Sequence, residues 1–102
     1  MRATLLQRPG KLSFSEDLPA PSPGPGEVLL RIKAALTCGT DLKAFIRGHP
    51  MIPMPGPFGH EFSGVVEEAG KGVRRFQKGD PVMSTHSAPC LKCGYCARGL
   101  HL

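Results

Sequence analysis

A mainly β domain is the fold class this sequence predicts, and three observations predict it. Thirteen glycines and eleven prolines in 102 residues break long helices and favour short strands joined by turns. Residues 27–36 alternate apolar and other side chains with period two, the signature of a strand with one face on a core. An apolar content of 40% beside 21% charged residues is that of a globular chain rather than a disordered or membrane-spanning one. The length suits one domain of modest core, in which a bound metal or partner would matter to stability.

Each element follows in order. Arg2 to Gln7 and Lys11 to Ser15 read as two short strands around a Pro9-Gly10 turn. Pro19, Pro21, Pro23 and Pro25 recur at every second position and hold the chain extended as a stiff connector up to Gly26. Glu27 to Leu36 is the alternating strand, with Val28, Leu30, Ile32 and Ala34 sharing the face expected on the core. A short helix follows: Thr40 or Asp41 can cap it, Leu42, Phe45 and Ile46 lie at helical spacing, and Gly48 stops it. Pro50, Pro53, Pro55 and Pro57 carry an irregular loop to Gly59, after which Glu61 to Ala69 returns to a strand. Turns at 70–72 and 78–80 bracket a further short segment, a last strand lies near Pro81 to Ser84, and the rest is expected to be loop.

No run approaches the length of about 20 apolar residues that a membrane helix needs, and the N-terminus has no long apolar segment after Arg2. A cytoplasmic protein without membrane partners is expected. The formal charge of +5 is scattered, and with one Tyr and no Trp the composition disfavours a nucleic-acid partner. Three of the four cysteines fall within seven residues, too close for a spread disulfide framework.

Those three, Cys90, Cys93 and Cys96, have two x2 spacings that let successive thiolates converge on one ion, with Gly94 permitting a sharp turn. A tetrahedral thiolate shell suits zinc, and a site closed by four protein ligands is structural. An iron–sulfur run shares the spacing but places its fourth Cys where Leu100 stands, and unligated surface thiols are the plainer alternative. The fourth ligand would be His101, or lie beyond Leu102, or be lacking; the Gly-Leu-His-Leu ending looks like a cut piece, so the second is preferred. A second group joins Cys38-Gly39-Thr40-Asp41 to Gly59-His60-Glu61. Cys, His and carboxylate are the donor set of a zinc that keeps an open position, and Thr40 offers a hydroxyl nearby; its plainer reading is a helix cap.

At these residues the sequence resembles the zinc-containing alcohol dehydrogenases of the medium-chain dehydrogenase/reductase superfamily. Gly59-His60-Glu61-x2-Gly64-x5-Gly70-x2-Val73 is similar to that family's zinc signature. Cys38-Gly-Thr-Asp, Phe76-x2-Gly79-Asp80-x-Val82 and the Cys90, Cys93 and Cys96 lobe follow in the family's order. The resemblance covers essentially the whole chain but only the first third of a complete member. It implies a GroES-like distorted antiparallel β-barrel with one or two short helices and a cysteine-rich zinc loop. By the same resemblance residues 1–102 are a truncated N-terminal catalytic domain, with a Cys two positions past Leu102 as the fourth structural ligand.

The resemblance further implies that Cys38, His60 and, directly or through water, Glu61 hold a catalytic zinc. Asp41 would accept the remaining N–H of His60, while Thr40 would hydrogen-bond the substrate oxygen and relay its proton. Many relatives carry His where Lys43 stands, so the proton path would differ there. The Cys-Gly-Thr-Asp form and His86 lean toward the polyol and threonine dehydrogenase branch. Complete, such a protein would be a homo-oligomer that oxidises an alcohol or polyol with NAD or NADP. No Gly-x-Gly-x-x-Gly stands between a strand and a helix here, so a Rossmann domain absent from this chain would bind the nicotinamide, and the chain alone would be inactive. The contrasting expectation is a zinc-binding interaction module without enzymatic activity. Without the partner domain, an apolar cleft wall at Leu42, Phe45 and Phe58 would lie open.

Overall fold

Pro9 and Gly10 fold the first two strands on each other, Gly10 adopting φ +75° as the turn demands. A computed structural model describes residues 1–85 and 87–101; the readings placed on His86 and Leu102 lie outside the described residues. The strands β1 (Ala3–Arg8) and β2 (Lys11–Ser15) pair antiparallel, with a bulge between Leu6 and Arg8. Then come β3 (Val28–Leu36), α1 (Gly39–Arg47), β4 (Gly56–Pro57), β5 (Glu61–Ala69), β6 (Pro81–Met83) and α2 (Gly94–Ala97). The mainly β expectation with short helices is met, and the six strands form two antiparallel three-stranded sheets ordered β2-β1-β4 and β3-β5-β6.

The first sheet acts as a bracket. Within β1, Leu6 is fully buried, and Gly10 N–H reaches the Phe45 carbonyl at 2.6 Å, tying the hairpin to α1. The two-residue strand β4 pairs Gly56 with Leu6 and Pro57 with Leu5, and Phe58 N–H continues to the Thr4 carbonyl at 3.0 Å. Two residues carry no period, so from sequence this pairing reads as loop. It delivers the chain to Gly59, whose φ of +110° turns it into His60 and β5.

The second sheet closes the spacing between the two motifs. The β3–β5 ladder runs to the pair Leu36↔Glu61. Chain leaving the end of β3 at Thr37 and Cys38 therefore meets chain entering β5 at Gly59 and His60, and 22 residues of sequence separation become a side-chain contact. Gly64 lies buried within this ladder, where a Cβ would run into the Arg31 carbonyl oxygen; Gly70 similarly faces the Gly24 carbonyl. Arg31 and Glu67 pair across the strands at 2.7 Å, holding the Glu67 carboxyl down at about 2, chiefly through this hydrogen bond.

Two expectations need correction. The alternation along β3 marks a real strand, but its second half is uncovered: Ile32 is 48% and Leu36 70% exposed, and Ala34 is exposed as well. Period two tells which side chains share a face, not whether another layer lies over it, and bulges at Leu29/Leu30 and Ile32/Ala34 further break the face. The hydrophobic residues that are buried among the described residues are Leu6, Ala44 and Val66, so the interior is small. The second correction concerns α1, which neither Thr40 nor Asp41 caps. Cys38 does, and Gly48 follows as the expected stop. The loop expected after Thr85 also contains the one-turn helix α2.

Candidate metal centres

Cys38 occupies the cap position of α1 because its sulfur plays the part an oxygen usually plays. Its Sγ accepts the Thr40 N–H at 3.3 Å, while the Asp41 carboxylate reaches back to the Cys38 N–H at 2.8 Å, a reciprocal box at the helix start. Asp41 is only 2% exposed. Its second oxygen, Oδ1, lies 3.1 Å from Nδ1 of His60, and Nε2 of the same ring lies 3.3 Å from Cys38 Sγ. With a proton on Nδ1, on the side of Asp41, the lone pair of His60 sits on Nε2, on the side of the sulfur. One buried carboxylate thus braces the backbone of the thiol residue through Oδ2 and lies against the imidazole with an Oδ1 that closes no hydrogen bond in this geometry.

Ligand atoms of Cys38, Asp41 and His60 all fall within 4.8 Å of one another. Glu61 begins β5 beside them, its Oε1 3.9 Å from His60 Nε2, but it stands outside that convergent group. Thr40 is exposed and contributes its backbone N–H to the sulfur. Lys43 is exposed on α1 and lines neither of the hollows beside the site. The smaller hollow, about 230 Å³, is formed by Thr37, Cys38, Asp41, Leu42, Phe45 and Phe58. Of the expected apolar wall, Leu42 is 60% exposed while Phe45 and Phe58 are half-buried. A larger cleft of about 610 Å³ takes in His60 and Glu61 together with Leu36, Phe62 and Met83, residues that no sequence motif singled out. The second tie of Asp41, to the Cys38 N–H, is signalled in sequence only by the x2 spacing of a capping box, which Cys obscures as an unusual cap.

At the other end of the chain Cys90, Cys93 and Cys96 bring their sulfurs within 4.8 Å of one another, Cys90 and Cys96 at 3.8 Å. Leu91 adopts φ +59° to make the bend, and Cys93 stands at the position just before α2, so that Cys96 returns one turn later. The Cys90 thiol is drawn down to about 7 by the Lys92 backbone N–H first, then by the side chain and backbone of Cys93 and the side chain of Cys96. His101, the in-chain alternative for a fourth ligand, is not part of the convergent group. All four cysteines are free thiols.

The donor sets fit zinc. A tetrahedral ion with thiolates at about 2.3 Å and imidazole at about 2.0 Å separates two sulfurs by about 3.8 Å and a sulfur from a nitrogen by about 3.5 Å. Those are close to the spacings of Cys90 with Cys96 and of Cys38 with His60.

Comparison with known proteins agrees. The family model described as "Alcohol dehydrogenase GroES-like domain" matches residues 24–101. A sorbitol dehydrogenase of Halalkalibacterium halodurans is 38% identical over 101 residues, covering 97% of this chain and 29% of the relative. An L-threonine 3-dehydrogenase of Rhizobium etli is 35% identical over 102 residues, covering 97% of this chain and 30% of the relative. Among solved structures, a thermostable alcohol dehydrogenase of Pyrobaculum aerophilum with cobalt and zinc bound superposes with a TM-score of 0.82 at 41% identity, over 99% of this chain and 31% of that one. The chain thus spans about three-tenths of the length of the curated relatives it matches. A mainly β fold of two small sheets, a Cys38–His60 contact made by strand register, and these likenesses over nearly the whole length lead to one conclusion: the chain belongs to the GroES-like domain family of the alcohol dehydrogenases.

Proposed function

We propose that this chain is the metal-binding part of a zinc-dependent dehydrogenase that oxidises an alcohol or polyol to a ketone or aldehyde. The observation that carries the reading is the 3.3 Å approach of Cys38 Sγ to His60 Nε2, with Asp41 bonded to the Cys38 N–H and 3.1 Å from His60 Nδ1. Cys38, His60 and Glu61 would hold the catalytic ion, and Cys90, Cys93 and Cys96 three of the four positions of a structural one. When bound, the catalytic zinc supplies Lewis acidity toward the hydroxyl oxygen, and NAD or NADP supplies the hydride acceptor.

The chain's own residues do the rest. The charge of Asp41 beside Nδ1 favours the His60 tautomer whose Nε2 can donate a lone pair. The Thr40 hydroxyl hydrogen-bonds the substrate oxygen and relays its proton, accepting it while passing its own O–H proton on toward solvent, where Lys43 lies at the surface of α1. Leu42, Phe45 and Phe58 exclude water from the carbon side of the substrate. Among the described residues no strand, glycine-rich turn and helix form a nicotinamide site, so a further domain supplies it and the chain alone turns over no alcohol. No helix of the described residues is long and apolar enough to cross a membrane, and free thiols suit a reducing, cytoplasmic setting.

Cobalt loading tests the reading, because thiolate-bound cobalt absorbs in the visible. Wild-type chain should bind metal at two separable sites, Cys38→Ser removing one and Cys93→Ser the other. Metal content indifferent to Cys38→Ser would leave an interaction module with a single structural ion.

A further inference from the structure

The chain exposes far more surface than its mass calls for. A folded monomer of 10.9 kDa exposes roughly 5,600 Å², whereas this one exposes 8107 Å². Its radius of gyration is 15.5 Å against about 13 Å for a compact domain of 102 residues, and it is flat, 40 × 36 × 20 Å. The surplus, about 2,500 Å², is some three times the area of about 800 Å² that each partner gives to a standard interface.

The larger of the two hollows beside the metal centre opens on one face of the sheet β3-β5-β6. Ala34, Ser63 and Met83 are aligned across the three strands, and Leu36, two residues on from Ala34, shares their face. Leu36 is 70% and Met83 80% exposed, and the cleft of about 610 Å³ that they line runs on to Phe62. Projecting apolar side chains beside an apolar hollow make a surface that fits its own copy, as a two-fold contact requires. Arg31, farther along the same face, is already paired with Glu67 at 2.7 Å and suits a polar rim.

We propose that this face of β3-β5-β6 is a self-association surface, on which a second copy of the chain seats face to face, Leu36 and Met83 of each entering the cleft of the other. Joining the sheets edge to edge is the poorer mode. Strand β6 begins at Pro81, which has no N–H to give, and a two-fold centred on Ile32 of β3 would set Arg31 of each copy against Lys33 of the other. The same patch serves both partners, so the contact closes at two chains. The proposal does not rest on the zinc reading, because neither Leu36 nor Met83 is among the convergent metal donors. His60 and Glu61 line the same cleft, so a seated copy also screens that side of the centre from solvent.

Sedimentation velocity tests this on the full chain, with reductant present so that exposed thiols cannot cross-link it. The mass should rise with concentration from 10.9 kDa to twice that value and stop there. Leu36→Ser combined with Met83→Ser takes apolar side chains from the contact and none from the interior, and should weaken the dimer about 100-fold or more. Ile46→Ser, which removes an exposed apolar side chain from α1, should leave the dimer unchanged. Peroxide oxidation of wild-type methionines needs no variant. Met83 and Met51 are 80% and 84% exposed in the single chain, and where the dimer dominates Met83 should oxidise about tenfold more slowly than Met51. A chain still monomeric at millimolar concentration overturns the proposal and leaves the face to a different polypeptide. Assemblies that keep growing, a dimer indifferent to the paired substitution or equally sensitive to Ile46→Ser, or equal oxidation of Met83 and Met51 in the dimer overturn it as well.

Discussion

Replacing Asp41 by Asn changes one atom and sets two demands against each other. The carboxylate accepts the Cys38 N–H through Oδ2 and faces His60 Nδ1 through Oδ1, both from a side chain that is 2% exposed. Asparagine has one acceptor oxygen and one donor amide to offer the same two neighbours. If its oxygen stays with Cys38, its NH2 confronts Nδ1, and the imidazole satisfies it only by moving its proton to Nε2, the atom that should face the metal. If its oxygen turns to His60, the Cys38 N–H loses its partner and the helix loses half its cap. The loss of a partner that orients a metal-ligating His typically costs 10- to 100-fold in metal affinity, or about 1.4 to 2.7 kcal/mol. The fold should suffer less, about 0.5 to 2 kcal/mol, because one arm of the box survives. Competition for zinc against a chromophoric chelator, in a Cys93→Ser background where the loop site is disabled, reads the first quantity, and urea unfolding of the metal-free chain reads the second. Affinity unchanged by Asp41→Asn, or a loss no larger than the destabilisation alone explains, would refute the reasoning.

Two glycines should separate packing from placement. Gly64→Ala drives a methyl group into the Arg31 carbonyl and should cost about 1 to 3 kcal/mol in urea unfolding with little specific effect on metal affinity. Gly59→Ala meets no neighbour but must hold φ near +110°, so it should cost about 1 to 3 kcal/mol and, by displacing His60, also weaken zinc binding in the chelator competition. Cys90 should be the loop thiol whose iodoacetamide labelling rises with pH through a midpoint near 7 in the metal-free chain, since only its thiolate reacts; labelling that rises only toward 9 would contradict the Lys92 backbone contact.

What could be read from sequence follows from how local the cause is. Lys11–Ser15 and Glu61–Ala69 are legible to the residue because the Pro9-Gly10 turn fixes the start of the first and Gly59 and Gly70 fence the second on both sides. The helix was legible in its body and its Gly48 stop, yet its first residue was misplaced, because capping preference is counted for oxygen side chains and here a sulfur does the work. Gly56–Pro57 and Gly94–Ala97 are too short to carry a period; pairing with β1 makes the first a strand, and a single local turn makes the second a helix. The exposed half of β3 teaches a different lesson: Ile32 and Leu36 look like interior residues from their spacing, but covering them requires another layer that spacing cannot report. At the site, residue types named Cys38, His60 and the Cys90 loop in advance. The ladder ending at Leu36 and Glu61 was needed to show that the first two meet, and that Asp41 rather than Glu61 is the acid drawn into their midst.

A sulfur that starts a helix narrows the routes open to a protein engineer. Exchanging Cys38 for Ser or Asp would strengthen the start of α1 by ordinary rules, and such a change would be favoured in any screen for thermal resistance alone. It would also delete the thiol. Selection for heat tolerance and selection for the thiol's chemistry therefore pull this one position in opposite directions, and variants hardened elsewhere, away from the junction of β3 and α1, are the ones that should keep both.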